Sequence, residues 1–555
     1  MQALSRDQQA WVEKTLGGLS LREKVGQLLF PMLTEQTAAP LGIARYVAET
    51  GIGGGHMFGG PMAKCRRTAG EAQGAAAIPL LVSGDFEVGP GERIPEGTHL
   101  PGRMAIGAVG DERLSYEAGK VTALEATACG YNLAFGPIVD LAAVKDYQRQ
   151  VDSLGRRPEE VARLGAACVR GLQDHGMAAC AKHFPGDGFD DRDQHLMTLV
   201  NPLSPAEWRR QSALPFKAAI DAGVMSIMVS CIGLPSMDPE AGDPRNPMPA
   251  VTSRYLVTEL LRGELGFEGV IITDALNMGG VSYHYRERDR YRMALRAGND
   301  ILLFVRNVPR VLEDLVGCVE RGEIDEGQVE ASARRVLELK ARLNLHKRAM
   351  PDEAEAQGLL GSSPGRQVAQ EISERSVTLL RDSRGTVPLK LGKGSRVAVV
   401  LVTNQPAERF SLDVFEGALR ESGVEVTSIR DPQTDQVHDQ VAAGGFDAVI
   451  MALYFPVQYG WNTVRMHGPY SRCVMSGFAI ADAGAQAVYV SFSNPYHVYE
   501  LPQMDPYLVT YGGSPAAQRA AATALVGRTA IRGRIPCELD GFFGVGDGVQ
   551  RGATR

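Results

Sequence analysis

The sequence predicts an α/β protein: a TIM-like (β/α)8 barrel followed by a second α/β unit. Three observations point there. Between residues 1 and 345, eight short apolar segments alternate with stretches mostly long enough for a crossover helix. Polar residues able to do chemistry fall at the C-terminal ends of several of those segments. A polar stretch, 346–370, then separates this region from a further set of apolar strands. Strands that alternate with helices pair in parallel, and eight such units make a barrel whose site lies at the C-terminal ends of its strands.

In chain order, Leu28–Leu33, Gly54–Phe58 and Leu80–Asp85 read as the first three strands, the third ending in a carboxylate. Leu133–Ile138 is the fourth, with Asp140 just beyond it. Glu159–His175 carries apolar residues at helical spacing and leads into the fifth strand, Ala179–His183. Ser226–Cys231 is the sixth. Tyr255–Leu265 is again helical, Val270–Thr273 is the seventh strand with Asp274 directly after it, and Ile301–Phe304 is the eighth. The stretch 346–370 reads as a linker. Residues 371–555 hold strands at Arg396–Val402, Ala448–Tyr454 and Ala487–Phe492 and an Ala-rich helix at Ala516–Val526. No Gly-x-Gly-x-x-Gly opens a helix there, which argues against a dinucleotide site.

A chain of 555 residues is too long for one small domain. Its 44% apolar and 22% charged content is ordinary for a globular protein. A net charge of −7 offers no basic footprint, so nucleic acid is not an expected partner. No apolar run reaches the ~18 residues of a membrane span, so no membrane partner is expected either. The N-terminus, starting Met1-Gln-Ala-Leu-Ser, lacks a signal-peptide core. The 8 cysteines show no zinc or redox spacing, and reduced thiols suit the cytoplasm, which is the expected location. Oligomeric state is not readable from these patterns.

The densest chemistry lies in Ala181–His195, which holds two histidines, one lysine and four aspartates. A buried strand that ends in Lys182-His183 and opens into a Gly/Asp-rich loop converges hydrogen-bonding and titratable groups on one place. That suits an uncharged, polyhydroxylated ligand. The loop lacks a ligand set with zinc spacing, so neither a metal nor any other cofactor is expected.

These residues resemble glycoside hydrolase family 3, in its β-N-acetylglucosaminidase branch. That branch carries Lys-His-Phe-Pro-Gly-His-Gly and then Asp-x-His. The chain has Lys182-His-Phe-Pro-Gly-Asp-Gly188 and then Asp193-Gln-His195 at the same spacing. The family's seventh-strand Ser/Thr-Asp matches Thr273-Asp274, and its third-strand Asp with an Arg eight residues on matches Asp85 and Arg93. The likeness runs from about residue 20 to 345. It is looser beyond, where Ser493-Asn-Pro495 and Gly533-Arg-Ile-Pro536 look like the family's C-terminal α/β sandwich.

The resemblance implies a retaining exo-β-glycosidase acting on a small carbohydrate, a terminal β-linked N-acetylglucosamine or a related hexose. Asp274 would be the nucleophile. His195 would be the acid/base, held by Asp193. Lys182, His183, Asp85 and Arg93 would hold the sugar, and Lys182 would pair with Asp85 or Asp140. Asp140 reads as structural. Two positions depart from the branch. Asp187 stands where the branch has His, and Asp152-Ser-Leu-Gly155 stands where it has Arg-Ser-Phe-Gly. Arg149, three residues before Asp152, resembles the sugar-binding Arg of the β-glucosidase branch, so a glucosidase-like specificity stays open. Two further alternatives are a β-glycoside phosphorylase on the same scaffold, since a neutral His repels phosphate less than a carboxylate does, and a non-catalytic carbohydrate-binding protein. A barrel enzyme for phosphorylated metabolites would want a glycine-rich phosphate loop after the seventh or eighth strand, and Val305-Arg-Asn-Val-Pro-Arg310 has no glycine.

Overall fold

The structure is a computed structural model that describes residues 3–144, 152–347, 349–430, 445–456, 466 and 486–554. It divides into two compact units. The first comprises Met1–Thr98, Ser115–Leu141 and Val161–Ser362; the second comprises His99–Leu114, Ala142–Glu160 and Ser363–Arg555. Arg149 of the sequence reading lies outside the described residues.

The first unit is built on short parallel strands: β1 Leu29–Phe30, β2 Gly54–His56, β3 Leu81–Gly84, β4 Leu133–Ala134, β5 Ala178–Phe184, β6 Ser226–Val229, β7 Val270–Thr273 and β8 Leu302–Leu303. Strands β2 to β7 form one curled sheet in sequence order, each parallel to the next. β1 pairs with β8 in parallel, and isolated parallel bridges join Met32 to His56 and Ile272 to Ile301. Every residue of these strands is buried. Strands covered on both faces read as continuous apolar runs, which is why they stood out in the sequence.

The helices between strands are delimited by local chemistry. Ser20 and Ser204 each form a capping box, accepting from the backbone N–H of Glu23 and Glu207 while those side chains reach back. Gly298 ends the helix Glu287–Ala297 in the left-handed region, which costs glycine nothing. Helix Pro158–Gln173 buries an apolar face and runs into the turn before β5. The helical stretch Tyr255–Glu264 has π-type hydrogen bonding; its Arg262 meets buried Asp300, which also accepts from Arg335 at 2.9 Å and Ser332 at 2.7 Å. The charge of Asp300 is thus paired within the unit.

The second unit has a six-stranded sheet: β9 Thr378–Arg381, β10 Arg396–Thr403, β11 Glu425–Arg430, β12 Ala448–Tyr454, β13 Gln486–Ser491 and β14 Tyr507–Val509. Its order is β9-β14-β13-β12-β10-β11, parallel except for the β9–β14 edge pair. Val397, Val399, Leu401, Ile450, Val488 and Val490 pack with Phe415, Leu419 and Leu525 from helices Asp413–Arg420 and Pro515–Leu525. Helix Arg103–Val109 packs on helix Ser363–Ser376 within this unit.

Candidate active site

Four groups of polar side chains gather at the C-terminal ends of β2 to β7. The first surrounds Asp85, directly after β3. Lys182 Nζ lies 3.5 Å from Asp85 and 2.5 Å from Glu87, a carboxylate buried two residues further on. Arg93 donates from Nε to the Asp85 carbonyl at 2.8 Å and lies 3.6 Å from its carboxylate and 3.2 Å from Glu92. Burial pushes the Asp85 carboxyl up, but Lys182 and Arg93 more than offset this and hold it below the ordinary range. Glu92 goes the other way: burial, opposed by Arg93 and reinforced by Glu87, pushes it up to about 7. His56, buried beneath Asp85 against Phe58, Phe135 and Phe304, is pushed down to about 4 by burial and is neutral at physiological pH.

The second group is His183 with Asp140. His183 Nδ1 lies 2.7 Å from Asp140 Oδ2, and both side chains are buried. The backbone N–H groups of His183 and Asp187 donate to the same carboxylate at 3.1 and 2.8 Å. Asp140, His183 and Asp187 bring one ligand-type atom each within 4.8 Å of one another. The hydrogen bonds already made by Asp140 account for that arrangement without an ion. Lys182, expected to pair with Asp85 or Asp140, pairs with Asp85 and Glu87, while Asp140 serves His183.

The third group sits on the loop after β5. Its first half is pinned by Trp208, whose fully buried indole donates to the Pro185 carbonyl at 2.8 Å, and by Asn201, which donates to the Gly186 carbonyl at 2.9 Å. Gly188 has φ +94, and a Cβ there would lie 1.8 Å from the Leu141 carbonyl oxygen, so only glycine fits. Further on, His195 Nδ1 lies 2.7 Å from Asp193 Oδ1, which also accepts from the His195 backbone N–H at 2.9 Å. The Asp193 side chain is fully buried, whereas that of His195 is 32% exposed. With Nδ1 turned to the carboxylate, proton exchange with a ligand falls to Nε2.

The fourth group is Asp274, directly after β7. Its Oδ1 accepts from the Ala275 N–H at 2.7 Å, and its Oδ2 meets the Ser230 hydroxyl from the end of β6. The His195 loop lies against the same elements: the Gly279 and Gly280 N–H groups donate to the His195 and Gln194 carbonyls at 2.8 and 3.1 Å. Thus Asp85, Arg93 and Lys182 meet in one cluster, His183 joins Asp140, and Asp193 and His195 lie beside the segment that follows Asp274. The sequence reading missed Glu87, Glu92, His56, Ser230 and Gln194. The signal for Glu87 and Glu92 was their place between Asp85 and Arg93.

A TIM-like parallel sheet with paired carboxylate and imidazole groups at its strand ends is the architecture of a glycoside hydrolase. Residues 20–339 match the family model "Glycosyl hydrolase family 3 N terminal domain". A "Beta-N-acetylglucosaminidase/beta-glucosidase" of Cellulomonas fimi is 30% identical over 98% of each chain. A "Beta-hexosaminidase" of Nitrosospira multiformis is 32% identical over 46% of this chain and 72% of that protein. Among solved structures, "Beta-glucoside phosphorylase BglX" superposes with a TM-score of 0.85 at 28% identity, covering 96% of each chain. A glycoside hydrolase family 3 β-N-acetylglucosaminidase from Paenibacillus sp. str. FPU-7 has a TM-score of 0.81 at 30% identity, covering 94% of this chain and 99% of that one. The chain belongs to glycosyl hydrolase family 3.

Proposed function

We propose that this glycoside hydrolase is a retaining exo-β-glycosidase that removes terminal β-linked N-acetylglucosamine, or a related hexose. One observation carries the reading: the loop bearing the Asp193–His195 pair is hydrogen-bonded to the segment that follows Asp274. Asp274 attacks the anomeric carbon as the bond to the aglycone oxygen breaks, and His195 gives that oxygen a proton. His195 then takes a proton from water, which attacks the same carbon and expels Asp274. Asp193 orients the ring and stabilises its charged form. Asp85, Arg93, Lys182 and His183 hold the sugar hydroxyls, with Arg149 as a further sugar ligand.

The parallel β1–β8 pair and the two isolated bridges support a closed (β/α)8 barrel in the first unit. The six-stranded sheet with its helices supports an α/β sandwich in the second. No helix among the described residues is long and apolar enough to cross a membrane. The buried free cysteines support a cytoplasmic location.

The full-length relative named for both sugars supports either hexose. The test is a panel of aryl β-glycosides (N-acetylglucosaminide, glucoside and others), each assayed with and without phosphate. Turnover of the N-acetylglucosaminide to free sugar in both buffers is expected. Release of sugar 1-phosphate alone would overturn hydrolysis, and no turnover of any glycoside would overturn the enzyme.

A further inference from the structure

Gln194 lies between the two members of the Asp193–His195 pair, and its side chain is fully buried. Its amide oxygen is within hydrogen-bond reach of Ser230 Oγ, which is itself buried and also reaches Asp274 Oδ2. Two acceptors thus face one hydroxyl proton, while Nε2 of the same amide is buried without a partner. Turning the amide over resolves both conflicts. Nε2 then donates to Ser230, and Ser230 donates to Asp274. The exchange leaves a buried carbonyl oxygen in place of a buried N–H, the better tolerated of the two.

We infer that Gln194 and Ser230 are positioning residues, forming a hydrogen-bond relay through which docking of the acid/base loop aligns the nucleophile. The inference rests on the roles given above to Asp274 and His195. Ser230 and the Ala275 N–H each hold one carboxylate oxygen and so fix its plane. Gln194 is the residue of the loop that is tied twice, by its side chain to Ser230 and by its carbonyl to the Gly280 N–H at 3.1 Å. The seat accepts the loop because it is glycine. A Cβ on Gly279 would lie 2.2 Å from the Leu196 carbonyl oxygen, and one on Gly280 2.6 Å from Cys231. When the loop lifts, Ser230 loses its donor and Asp274 loses the group that fixed the hydroxyl.

The relay also bears on the second half-reaction. As the glycosyl ester breaks, negative charge returns to Asp274, and a preset donor stabilises it. Ser230→Ala should therefore lower kcat for an activated aryl glycoside about 10- to 100-fold, with a burst of phenol before the steady state. The loss in kcat/KM, which reports formation of the ester, should be smaller. Gln194→Ala should cost an alkyl glycoside more than the activated one, because the acid no longer docks. The double variant should lose less than the product of the two single losses.

Equal loss of kcat and kcat/KM in Ser230→Ala without a burst, or multiplicative losses in the double variant, would overturn the relay. Asp274→Ala is run alongside. If it stays active, the glycosidase reading itself fails. If it is inactive while Ser230 and Gln194 act independently, only the relay fails.

Discussion

At the scale of single residues, the proton donor sets this site apart, because most glycosidases use a carboxylic acid where His195 stands. A leaving group that needs no proton bypasses it. His195→Ala should slow an alkyl β-glycoside by at least ~100-fold and an activated nitrophenyl glycoside far less. Steady-state kinetics on the two substrates check this, and equal slowing would remove the proton-donor role. Asp85, Lys182, His183 and Asp274 were legible because a titratable residue closing an apolar strand has few structural uses. Ser230 and His56 were not, since each ends or interrupts a buried strand without marking it as chemical. Gln194 was visible only as the spacer of Asp-x-His, and its partner lies 36 residues away in sequence. The Lys182–Glu87 pair needed the fold, because it joins β5 to the loop after β3.

At the scale of elements, the loop after β5 does two jobs with one set of anchors. Its first half is fixed by Trp208, Asn201 and the φ +94 of Gly188, and its second half rests on the Gly279-Gly280 seat. Gly188→Ala should push the loop off Leu141, lowering kcat/KM at least ~10-fold and stability by about 1–3 kcal/mol. Thermal melts and kinetics of that variant measure both, and wild-type values in each would show that the loop tolerates the displacement. Strand positions were legible, strand ends less so. Leu28–Leu33 reads as one apolar run, but only Leu29–Phe30 pairs as a strand, because Pro31 has no N–H for a ladder. The polar stretch 346–370 reads as a linker, yet it holds helix Glu353–Leu359, capped by Asp352 accepting from the Glu355 N–H at 2.8 Å. Only Ala356 of that helix is buried, so there was no apolar stripe to see.

At the scale of the whole molecule, compact units and chain order differ. The sequence suggested a cut near residue 345, whereas His99–Leu114 and Ala142–Glu160 cluster with the later residues. Helix Arg103–Val109 lies on Ser363–Ser376, and Arg375 donates to Asp111 at 2.8 Å, contacts between residues more than 250 positions apart that no local pattern encodes. Global stability carries its own titration. Lys340 is fully buried, donates to Gln27 Oε1 at 2.6 Å, and is pushed down to about 7 by burial. The unfolded chain keeps that proton to about 10.4. Between these values the unfolded state binds more protons, so stability rises with pH and falls again as pH drops towards 7. The gain should be roughly 1.5 kcal/mol from pH 7 to 8.5. Denaturant melts should show it in the wild type and lose it in Lys340→Met; an unchanged slope in the variant would assign the titration elsewhere.

The central claim is that Asp274 is the nucleophile served by His195. It is tested most directly by trapping the glycosyl–enzyme intermediate with a slow fluorinated β-glycosyl fluoride and locating the added mass by peptide mass spectrometry. The account predicts one sugar per chain, esterified to Asp274. A label on Asp85, Glu87 or another carboxylate, or turnover with inversion and no covalent adduct, would contradict it.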